Sequence, residues 1–342
     1  MTTVLEAING ALHDALGADE NVLLMGEDVL DPYGGAFKAT KGLSTSFGDR
    51  VLTTPISEAG IVGVATGMAL RGLRPVVEIM FGDFSTLIVD QLVNHASKMR
   101  SMYGSSVSVP LVVRTPMGGR RGYGPTHSQS IEKLFLGTSG LRVLAPTAHG
   151  DVRALLRAAI LESDDPVLFV ENKLLYLAPL HSADDGDLVR SPGDGATPTA
   201  TIRVAGGGEP TITVVAYGHM AELAATAIVR LAFEHEVFAE LVVPTQLWPL
   251  DAAPIVRSVQ ATGTLVTAEE GTVGAGFGSE VLAAVSEALG AGLRTAHRVA
   301  ARDLPIPAAP SLEEQALPSV DDIVDACRTA QPERLSEREA RR

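Results

Sequence analysis

Short apolar segments alternate with helical segments along most of this chain, and this alternation restricts the fold more than any other feature of the sequence. Segments such as PLVV and VLFV are continuous apolar runs, which are typical of strands buried on both faces of a sheet. Residues 4–16 place apolar side chains at helical spacing, and residues 58–73 are predicted as a further helix. Strands that alternate with helices indicate a parallel sheet covered by helices, so the chain is predicted to be α/β.

The alternation is interrupted once, which divides the chain into two predicted domains. Between residues 181 and 210 the sequence becomes rich in Gly, Pro, Asp and Thr, a composition typical of a linker. We therefore predict a first domain over residues 1–185, a linker over 186–209 and a second, smaller α/β domain over 210–335. The length of 342 residues agrees with two domains rather than one.

The composition excludes several classes of function. The chain is 46% hydrophobic and 20% charged, which supplies large apolar cores and argues against disorder. Its formal net charge of −14 predicts repulsion from nucleic acids and anionic membranes. A single cysteine, Cys327, excludes an internal disulfide framework. No run approaches the about 18–20 apolar residues of a membrane span, and the first residues lack a secretory pattern, so a cytoplasmic protein is predicted.

A glycine-rich stretch in the second domain, GTVGAGFGSE, lies directly after a predicted strand and before a predicted helix. This position invites a dinucleotide-binding interpretation, because glycines let a phosphate approach the N-terminus of a helix. However, its glycine spacing is GxGxG rather than GxGxxG, and the acidic residues Glu269 and Glu270 would repel a pyrophosphate. We therefore favour tight-turn packing, and a nicotinamide-dependent oxidoreductase stays the weaker alternative.

A second candidate site is the stretch GGRRGYGPTHSQS, which contains His127 and follows a predicted buried strand. Loops at the carboxyl ends of parallel strands are where such folds bind ligands, and a loop histidine can act as a general acid or base. A structural histidine fixed by the neighbouring serines Ser128 or Ser130 explains the same residue equally well. Arg120 and Arg121 would suit an anionic substrate, although exposed arginines are more often only solvated.

Two further features lie at predicted strand and helix ends. Met80, Phe81 and Phe84 place apolar surface after a strand, where core packing and stacking on a heteroaromatic ring both remain open. Glu58 is the one carboxylate at the entrance of the apolar stretch TTPISEAGIVGVATGMALRG. A buried carboxylate is costly unless it is paired, protonated or used, although Glu58 or Ser57 could also cap the helix.

Several spaced motifs, in order along the chain, resemble one family. They are GEDV, YGGAFKATKGL, TPISEAGIVGVATGMALRGLRPVVEI, THSQS and LPSVDDIVDA. Together they resemble the beta subunit of the thiamine-diphosphate-dependent decarboxylase component of 2-oxoacid dehydrogenase complexes, such as those for pyruvate, branched-chain 2-oxoacids and acetoin. The resemblance runs from Val4 to Ala330. It implies a transketolase-like pyrimidine-binding domain followed by a transketolase C-terminal domain.

The resemblance also implies roles for individual residues. In this family the glutamate that matches Glu58 hydrogen-bonds a ring nitrogen of the cofactor's aminopyrimidine and favours the tautomer that removes the thiazolium proton. Phe84 matches the aromatic residue that packs against the aminopyrimidine, Met80 matches the residue beside it, and Ile56 is predicted as a further cofactor-binding residue. His127 matches the active-site histidine that handles protons or orients the acyl intermediate.

The diphosphate end of the cofactor requires Mg²⁺, which this superfamily holds with a GDG segment followed about 25–30 residues later by Asn-Asn. Here only GDR occurs, at residues 48–50, with no such sequel. The resemblance therefore implies an alpha subunit that holds Mg²⁺ and the diphosphate, in a tetramer of two alpha and two beta chains. Some relatives also hold a structural potassium ion with main-chain carbonyls, and the matching positions are Leu111, Ala159, Ser163 and Asp165.

These implications predict that the chain, with its alpha subunit, decarboxylates a 2-oxoacid and transfers the acyl group to lipoamide on an acyltransferase partner. The alternative within enzymes is a split transketolase or carboligase, which passes the same carbanion to an aldehyde or ketone. A scaffold or regulatory subunit without catalysis is a third class, against which the retained Glu58, Phe84 and His127 argue. Much of the substrate pocket is implied to lie on the alpha chain, so the sequence does not identify the 2-oxoacid.

Overall fold

The computed structural model describes residues 2–104 and 106–331, and for residues 184 and 185 the backbone alone. The last residues of the predicted second domain and the short basic tail lie outside the described residues. The described chain forms two seven-stranded sheets covered by helices, which confirms the predicted α/β class.

The strands and helices have the following bounds. The strands of the first half are β1 Val22–Gly26, β2 Val51–Thr53, β3 Arg74–Glu78, β4 Val112–Met117, β5 Arg142–Leu144 and β6 Val167–Asn172. The strands of the second half are β7 Asp184–Asp185, β8 Leu188–Ser191, β9 Thr199–Val204, β10 Ile212–Ala216, β11 Ala239–Pro244, β12 Gln246–Trp248, β13 Thr264–Thr272 and β14 Thr295–Ala301. The helices are α1 Val4–Ala18, α2 Leu43–Phe47, α3 Glu58–Leu70, α4 Met99–Tyr103, α5 Val152–Leu161, α6 His219–His235, α7 Ala253–Thr262, α8 Phe277–Leu289, α9 Pro310–Ala316 and α10 Val320–Thr329.

The first sheet has the order β12-β5-β6-β4-β3-β1-β2 and is parallel except for β12, which the second half of the chain adds to one edge. Every residue of β4 is buried, as expected for a central parallel strand covered on both faces. The second sheet has the order β14-β13-β10-β11-β9-β8-β7, in which the last three strands form an antiparallel edge. The predicted linker over residues 186–209 contains β8 and β9 of that edge, and the domain boundaries stay a prediction.

The two sheets share one apolar core. Its largest cluster combines Val77, Val113 and Leu168 of the first sheet with Val215, Val242 and Leu265 of the second. The opposite face of the first sheet packs against α1 and α5, and the second sheet has a further core against α6 and α10. Among the described helices, none combines the length and the apolar character that crossing a membrane requires.

One predicted helix has a different form. Residues 84–99 are predicted as a single helix, whereas the structure forms a 3₁₀ helix over Gly82–Ile88, a π-helical turn over Gln91–His95 and a 3₁₀ turn over Ala96–Lys98. Gly82 packs so closely on Met117 that a Cβ atom would collide with that side chain. This tertiary contact fixes the start of the segment at the end of β3, and irregular helices of this kind are frequent at functional sites.

A cluster of ionisable side chains joins the two domains near α5 and α6. His149 lies in the loop before α5, and its Nε2 is 3.1 Å from Oε1 of Glu222 in the first turn of α6. His181 bonds the other carboxylate oxygen of Glu222 at 2.8 Å, and its ring stacks on His149 with the centroids 4.6 Å apart. Arg190 Nε donates to His149 Nδ1 at 3.0 Å. The neutral ring therefore carries its proton on Nε2, where a metal ion would need a lone pair.

Because of His149, we expect the free energy of unfolding to decrease as the pH falls from about 6.5 to about 4. Burial lowers the pKa of His149 to about 4, whereas an unfolded histidine titrates near 6.5. Between these values the unfolded chain binds the proton and the folded chain does not, so acidification removes about 3 kcal/mol of stability. Urea unfolding across this pH range measures the effect. His149→Gln is expected to lose most of the dependence, and equal dependence in His149→Gln and in the exposed control His13→Gln would contradict the assignment.

Candidate active site

The predicted site residues lie at one edge of the first sheet, where its parallel strands end. The neighbouring strands β6, β4, β3, β1 and β2 lead in that order into Lys173, His127, Phe84, Glu27 and Glu58. Neighbouring strands are about 4.8 Å apart, so this row of residues extends across about 20 Å of the sheet edge. Open parallel sheets bind their ligands at this carboxyl edge.

Glu58 is the first residue of α3 and is buried, with 7% of its surface exposed. The N-cap of this helix is Ser57, whose side chain makes no capping bond, so the interpretation of Glu58 as the cap is wrong. Within residues 2–104 and 106–331, no hydrogen bond or ion pair reaches the Glu58 carboxylate. Burying a carboxylate without a partner is costly, and a ligand that bonds to it would offset that cost.

Glu27 is a second buried carboxylate beside Glu58, and sequence reasoning missed its role. It follows the last residue of β1, and the N–H of Thr54 donates to the carbonyl of Gly26 at 3.0 Å, which holds the two strand ends together. Burial raises the pKa of Glu27, and the charge of Glu58 raises it further. Its Oε1 has no hydrogen-bond partner in the described part of the chain. The available signal was its place directly after a buried strand.

Phe84 and His127 meet in the structure, as the resemblance implies for two residues of one site. Their ring centroids are 5.2 Å apart, and Phe81 lies 4.8 Å from His127 and 5.8 Å from Phe84. The Oγ1 of Thr126 is 3.0 Å from His127 Nδ1, whereas the hydroxyl of Ser128 has no partner among the described residues. A threonine, and not Ser128, therefore contacts the histidine ring. The cluster places a proton-transfer group beside flat apolar surface.

Met80 and Ile56 differ in their surroundings. Met80 is half-buried just beyond the end of β3, close in sequence to Phe84. Ile56 is 83% exposed in the loop that leads to Glu58. One exposed apolar side chain is common on a protein surface, whereas several together mark a surface that another molecule covers. Contact of both residues with a cofactor stays a prediction.

The second domain fixes the loop that carries His127. Glu270 accepts a hydrogen bond from the N–H of Gly119 at 2.7 Å. Glu313 of α9 accepts from the N–H of Arg120 at 2.7 Å and from the N–H of Gly122 at 3.0 Å. The guanidinium of Arg120 also donates to a carbonyl of the second domain. Arg120 is therefore engaged within the protein rather than free to meet an anionic substrate.

In the glycine-rich stretch of the second domain, a carboxylate of the same chain bonds the main-chain N–H groups that a phosphate would need. Glu269 accepts hydrogen bonds from the N–H groups of Phe277 at 2.8 Å and Gly278 at 2.9 Å, at the N-terminus of α8. Gly276 lies so close to this carboxylate that it has no room for a Cβ atom, and at Gly278 a Cβ atom would collide with the hydroxyl of Thr267. Because Glu269 occupies the place that a pyrophosphate would need, the structure favours tight-turn packing over dinucleotide binding.

The predicted potassium ligands belong to three parts of the first domain. They are Leu111 directly before β4, Ala159 of α5, and Ser163 and Asp165 between α5 and β6. The carbonyl of Leu111 accepts from the N–H of Val167 at 2.8 Å, and that of Asp165 accepts from the Ser163 hydroxyl at 2.9 Å. The carbonyl of Ser163 accepts from Nη1 of Arg74 at 3.0 Å. Since this guanidinium already supplies a positive charge, the arrangement does not fit a potassium ion well, and the ion stays a prediction.

The fold and the site define a two-domain chain of the transketolase type. Residues 1–178 match the family described as the transketolase pyrimidine-binding domain, and residues 202–323 match the transketolase C-terminal domain. A solved structure titled "Split gene transketolase, inactive beta4 tetramer" superposes with a TM-score of 0.73 and covers 96% of this chain and 98% of its own. At 22% sequence identity this similarity concerns the fold alone.

Sequence relatives narrow this class to one family. The pyruvate dehydrogenase E1 component subunit beta-2, mitochondrial, of Oryza sativa subsp. japonica is 41% identical over 332 residues, which cover 96% of this chain and 86% of the relative. The 3-methyl-2-oxobutanoate dehydrogenase subunit beta of Mycobacterium tuberculosis H37Rv is 38% identical over 325 residues, covering 94% and 90%. The chain belongs to the family of 2-oxoacid dehydrogenase beta subunits, which confirms the family inferred from its motifs.

Proposed function

We propose that this chain is the beta subunit of a thiamine-diphosphate-dependent 2-oxoacid dehydrogenase. With an alpha subunit it decarboxylates a 2-oxoacid and transfers the acyl group to lipoamide. The observation that carries the proposal is Glu58, a buried carboxylate at the carboxyl edge of a parallel sheet with no hydrogen-bond partner within the described residues. The names of the relatives, pyruvate dehydrogenase and 3-methyl-2-oxobutanoate dehydrogenase, support this class of reaction.

The residues present fit the aminopyrimidine end of thiamine diphosphate. Glu58 offers a buried oxygen that can bond to a ring nitrogen, and Phe84 with Phe81 offers flat apolar surface for a heteroaromatic ring. When bound, the cofactor supplies the nucleophilic carbon and the electron sink for loss of CO₂. The task of this chain is then to hold and orient the ring and to shield the Glu58 carboxylate from water.

Glu27, Glu58 and His127 are the groups of the site that can bind and release protons. Burial and the charge of Glu58 both raise the pKa of Glu27, which favours the neutral form of Glu27. Glu58 offers a carboxyl that can form a hydrogen bond to the ring nitrogen of the cofactor. His127 lies against Phe81 and Phe84 and can give or take a proton at the substrate.

A second chain is needed for the other end of the cofactor, since this sequence lacks the Mg²⁺-binding segment. Exposed apolar surface around Glu58 supports such a partner, because Ile56 is 83% and Val64 is 55% exposed. Gly63 and Gly67 of α3 have open space where a side chain would stand, so another backbone can approach closely. We propose that an alpha subunit covers this surface in a tetramer of two alpha and two beta chains, and that it holds Mg²⁺ and the diphosphate.

We expect the co-purified alpha–beta pair, supplied with thiamine diphosphate and Mg²⁺, to release CO₂ from a 2-oxoacid and to acylate a lipoyl domain. Neither chain alone should do so, because each holds one end of the cofactor. A panel of pyruvate, branched-chain and longer unbranched 2-oxoacids, followed by CO₂ release and by the mass of the lipoyl domain, measures both steps and identifies the substrate.

The molecule that accepts the decarboxylated fragment distinguishes this proposal from its alternatives. Ligation of the decarboxylated fragment to an aldehyde or ketone, without acylation of the lipoyl domain, would establish a split transketolase or carboligase instead. Absence of both reactions with every 2-oxoacid would leave a subunit without catalysis and would contradict the proposal. The cytoplasmic location also stays a prediction, since the Oryza relative is named as mitochondrial.

A further inference from the structure

A completely buried lysine lies beneath the loop of His127. Lys173 follows the last residue of β6 and has 0% of its surface exposed. Its Nζ donates to the main-chain carbonyl of His127 at 2.7 Å, and it lies 5.4 Å from the ring centroid of Phe81 and 5.9 Å from that of Tyr123. Lysine is almost never fully buried, because its ammonium group loses hydration, so this position requires a compensating role.

The backbone of Lys173 is itself anchored to the sheet. Its N–H donates to the carbonyl of Met117, the last residue of β4, at 3.0 Å. Its carbonyl accepts from Nη2 of Arg121 at 3.1 Å. The bond from Nζ to His127 therefore connects a rigid strand end to the main chain of the histidine.

The same loop is held on its other side by Asp83. Oδ1 of this buried carboxylate accepts from the N–H of Gln129 at 3.3 Å and from its Nε2 at 2.7 Å. The main chain is thus held at the carbonyl of His127 itself and again two residues further on, at Gln129. The lysine contact is the one that contains a titrating donor.

The charges around Lys173 come from four elements. Asp83 of the 3₁₀ helix Gly82–Ile88, Glu270 of β13 and Glu313 of α9 favour the ammonium form. Arg121, in the loop that carries His127, opposes it. Burial outweighs these charges and lowers the pKa of Lys173 to about 8. The group is therefore charged at neutral pH and loses its proton in a range where an ordinary lysine stays charged.

We propose that Lys173 is a positioning residue, whose charged ammonium group holds the main chain of His127 and thereby places the imidazole against Phe81 and Phe84. This inference rests on the proposed function, since it assigns a role within that site. An ammonium group donates a stronger hydrogen bond than a neutral amine. The contact is therefore strongest well below pH 8 and weakens as the pH rises through about 8.

Amide hydrogen exchange on the full-length chain tests the contact without any activity. Lys173→Met keeps the length of the side chain and removes the donor, so we expect peptides that cover residues 124–130 to exchange at least about tenfold faster at neutral pH. Lys38→Met is the matched control, because Lys38 also donates to a main-chain carbonyl, of Tyr33 at 2.7 Å, and lies over an aromatic ring, but it is exposed and outside this loop. The control should leave residues 124–130 unchanged.

The pH dependence of kcat, measured on the alpha–beta pair, tests whether the charge of Lys173 is required. We expect wild-type kcat to fall with an alkaline limb near pH 8, and Lys173→Met to be about tenfold slower at neutral pH and to lack this limb. KM for the 2-oxoacid should change less than kcat, since the contact reaches the substrate only through His127. Lys173→Arg keeps its charge across this range and should retain more activity than Lys173→Met, also without the limb.

The outcomes separate this inference from the proposed function. Turnover of no 2-oxoacid by the wild-type pair would overturn the proposed function, while the exchange experiment would still decide on the contact. Unchanged exchange in Lys173→Met, or an alkaline limb retained in that variant, would overturn the role of Lys173. If Lys173→Met does not fold, the same exchange experiment on the wild-type chain at several pH values tests the proposal. After correction for intrinsic exchange rates, residues 124–130 are expected to lose protection between pH 7 and pH 9. Constant protection over this range would overturn the proposal.

Discussion

Replacing Glu58 with Gln in the complete alpha–beta assembly is expected to lower kcat for decarboxylation by about 10²–10³-fold. Gln has the same size and can still form a hydrogen bond to a ring, but it can neither carry the charge nor hold the proton that the site requires. CO₂ release at saturating cofactor and 2-oxoacid, with an artificial electron acceptor in place of the lipoyl partner, measures this step alone.

The same substitution is expected to leave the thermal stability of the beta chain unchanged or to raise it. Glu58 is buried without a hydrogen-bond partner within the described residues, so the folded state bears the cost of its desolvation. Removing the charge removes that cost and also the repulsion that raises the pKa of Glu27. A large loss of rate without a loss of stability is the behaviour of a residue kept for function.

Glu132→Gln is the matched control for Glu58→Gln. Glu132 is equally buried, and burial raises its pKa, but it lies at the domain interface and accepts a hydrogen bond from Tyr217. Its substitution should change kcat less than about threefold, well below the effect of losing a catalytic proton-transfer group. If Glu132→Gln slowed the reaction as much as Glu58→Gln, the effect would reflect buried acids in general. If Glu58→Gln kept most of the wild-type rate, the role assigned to Glu58 would be wrong.

The α/β class was predictable because each central strand and each long helix carries its own local pattern of apolar residues. Residues 82–98 and the strands β8 and β9 were less predictable for different reasons. The first segment departs from a regular helix where Gly82 packs on Met117, a contact between distant parts of the chain. In β8 alternate residues are buried, but the strand has only four residues and lies within a stretch rich in Gly and Pro, so its pattern is weak.

Some residues of the candidate site were also predictable from the sequence, and others were not. Glu58, Phe84 and His127 were predicted from motifs, and the structure brings Phe84 and His127 into contact. Glu27 and Lys173 were missed, because their roles arise from the strand order rather than from their own neighbours in sequence. Glu27 meets Glu58 only because β1 pairs with β2, and Lys173 reaches His127 only because β6 pairs with β4.

Replacing Arg114 with Met is expected to lower the free energy of unfolding by about 3–5 kcal/mol, because it leaves buried charges unpaired. Arg114 lies in the middle of β4 and is 1% exposed. It makes a bidentate pair with Glu171, at 2.7 and 2.9 Å, and Nη1 donates to Glu78 at 3.0 Å. Tyr176 also donates to Glu171 at 2.6 Å. Urea unfolding of the purified chain measures the loss.

The pH dependence of this loss identifies its cause. Burial already raises the pKa of Glu78, although the charge of Arg114 opposes that shift. Without Arg114 the carboxyl of Glu78 should take up a proton in the folded state at a pH where the unfolded chain is deprotonated. Stability of the variant should then rise as the pH falls from about 8 to about 5, relative to the wild type. A simple loss of packing would give a difference that does not depend on pH.

A second ion pair between strands provides the control that decides how much the burial of Arg114 matters. Arg203 of β9 donates to Glu240 of β11 at 2.7 Å, but its side chain is 52% exposed, so Arg203→Met should cost only about 0–1 kcal/mol. Adding Glu78→Gln and Glu171→Gln to Arg114→Met should recover part of the loss, because no buried charge then remains unpaired. If Arg114→Met lowered the free energy of unfolding no more than Arg203→Met does, the carboxylates of Glu78 and Glu171 would have to be in contact with water. The sheet would then be more open at this point than the burial of these residues indicates.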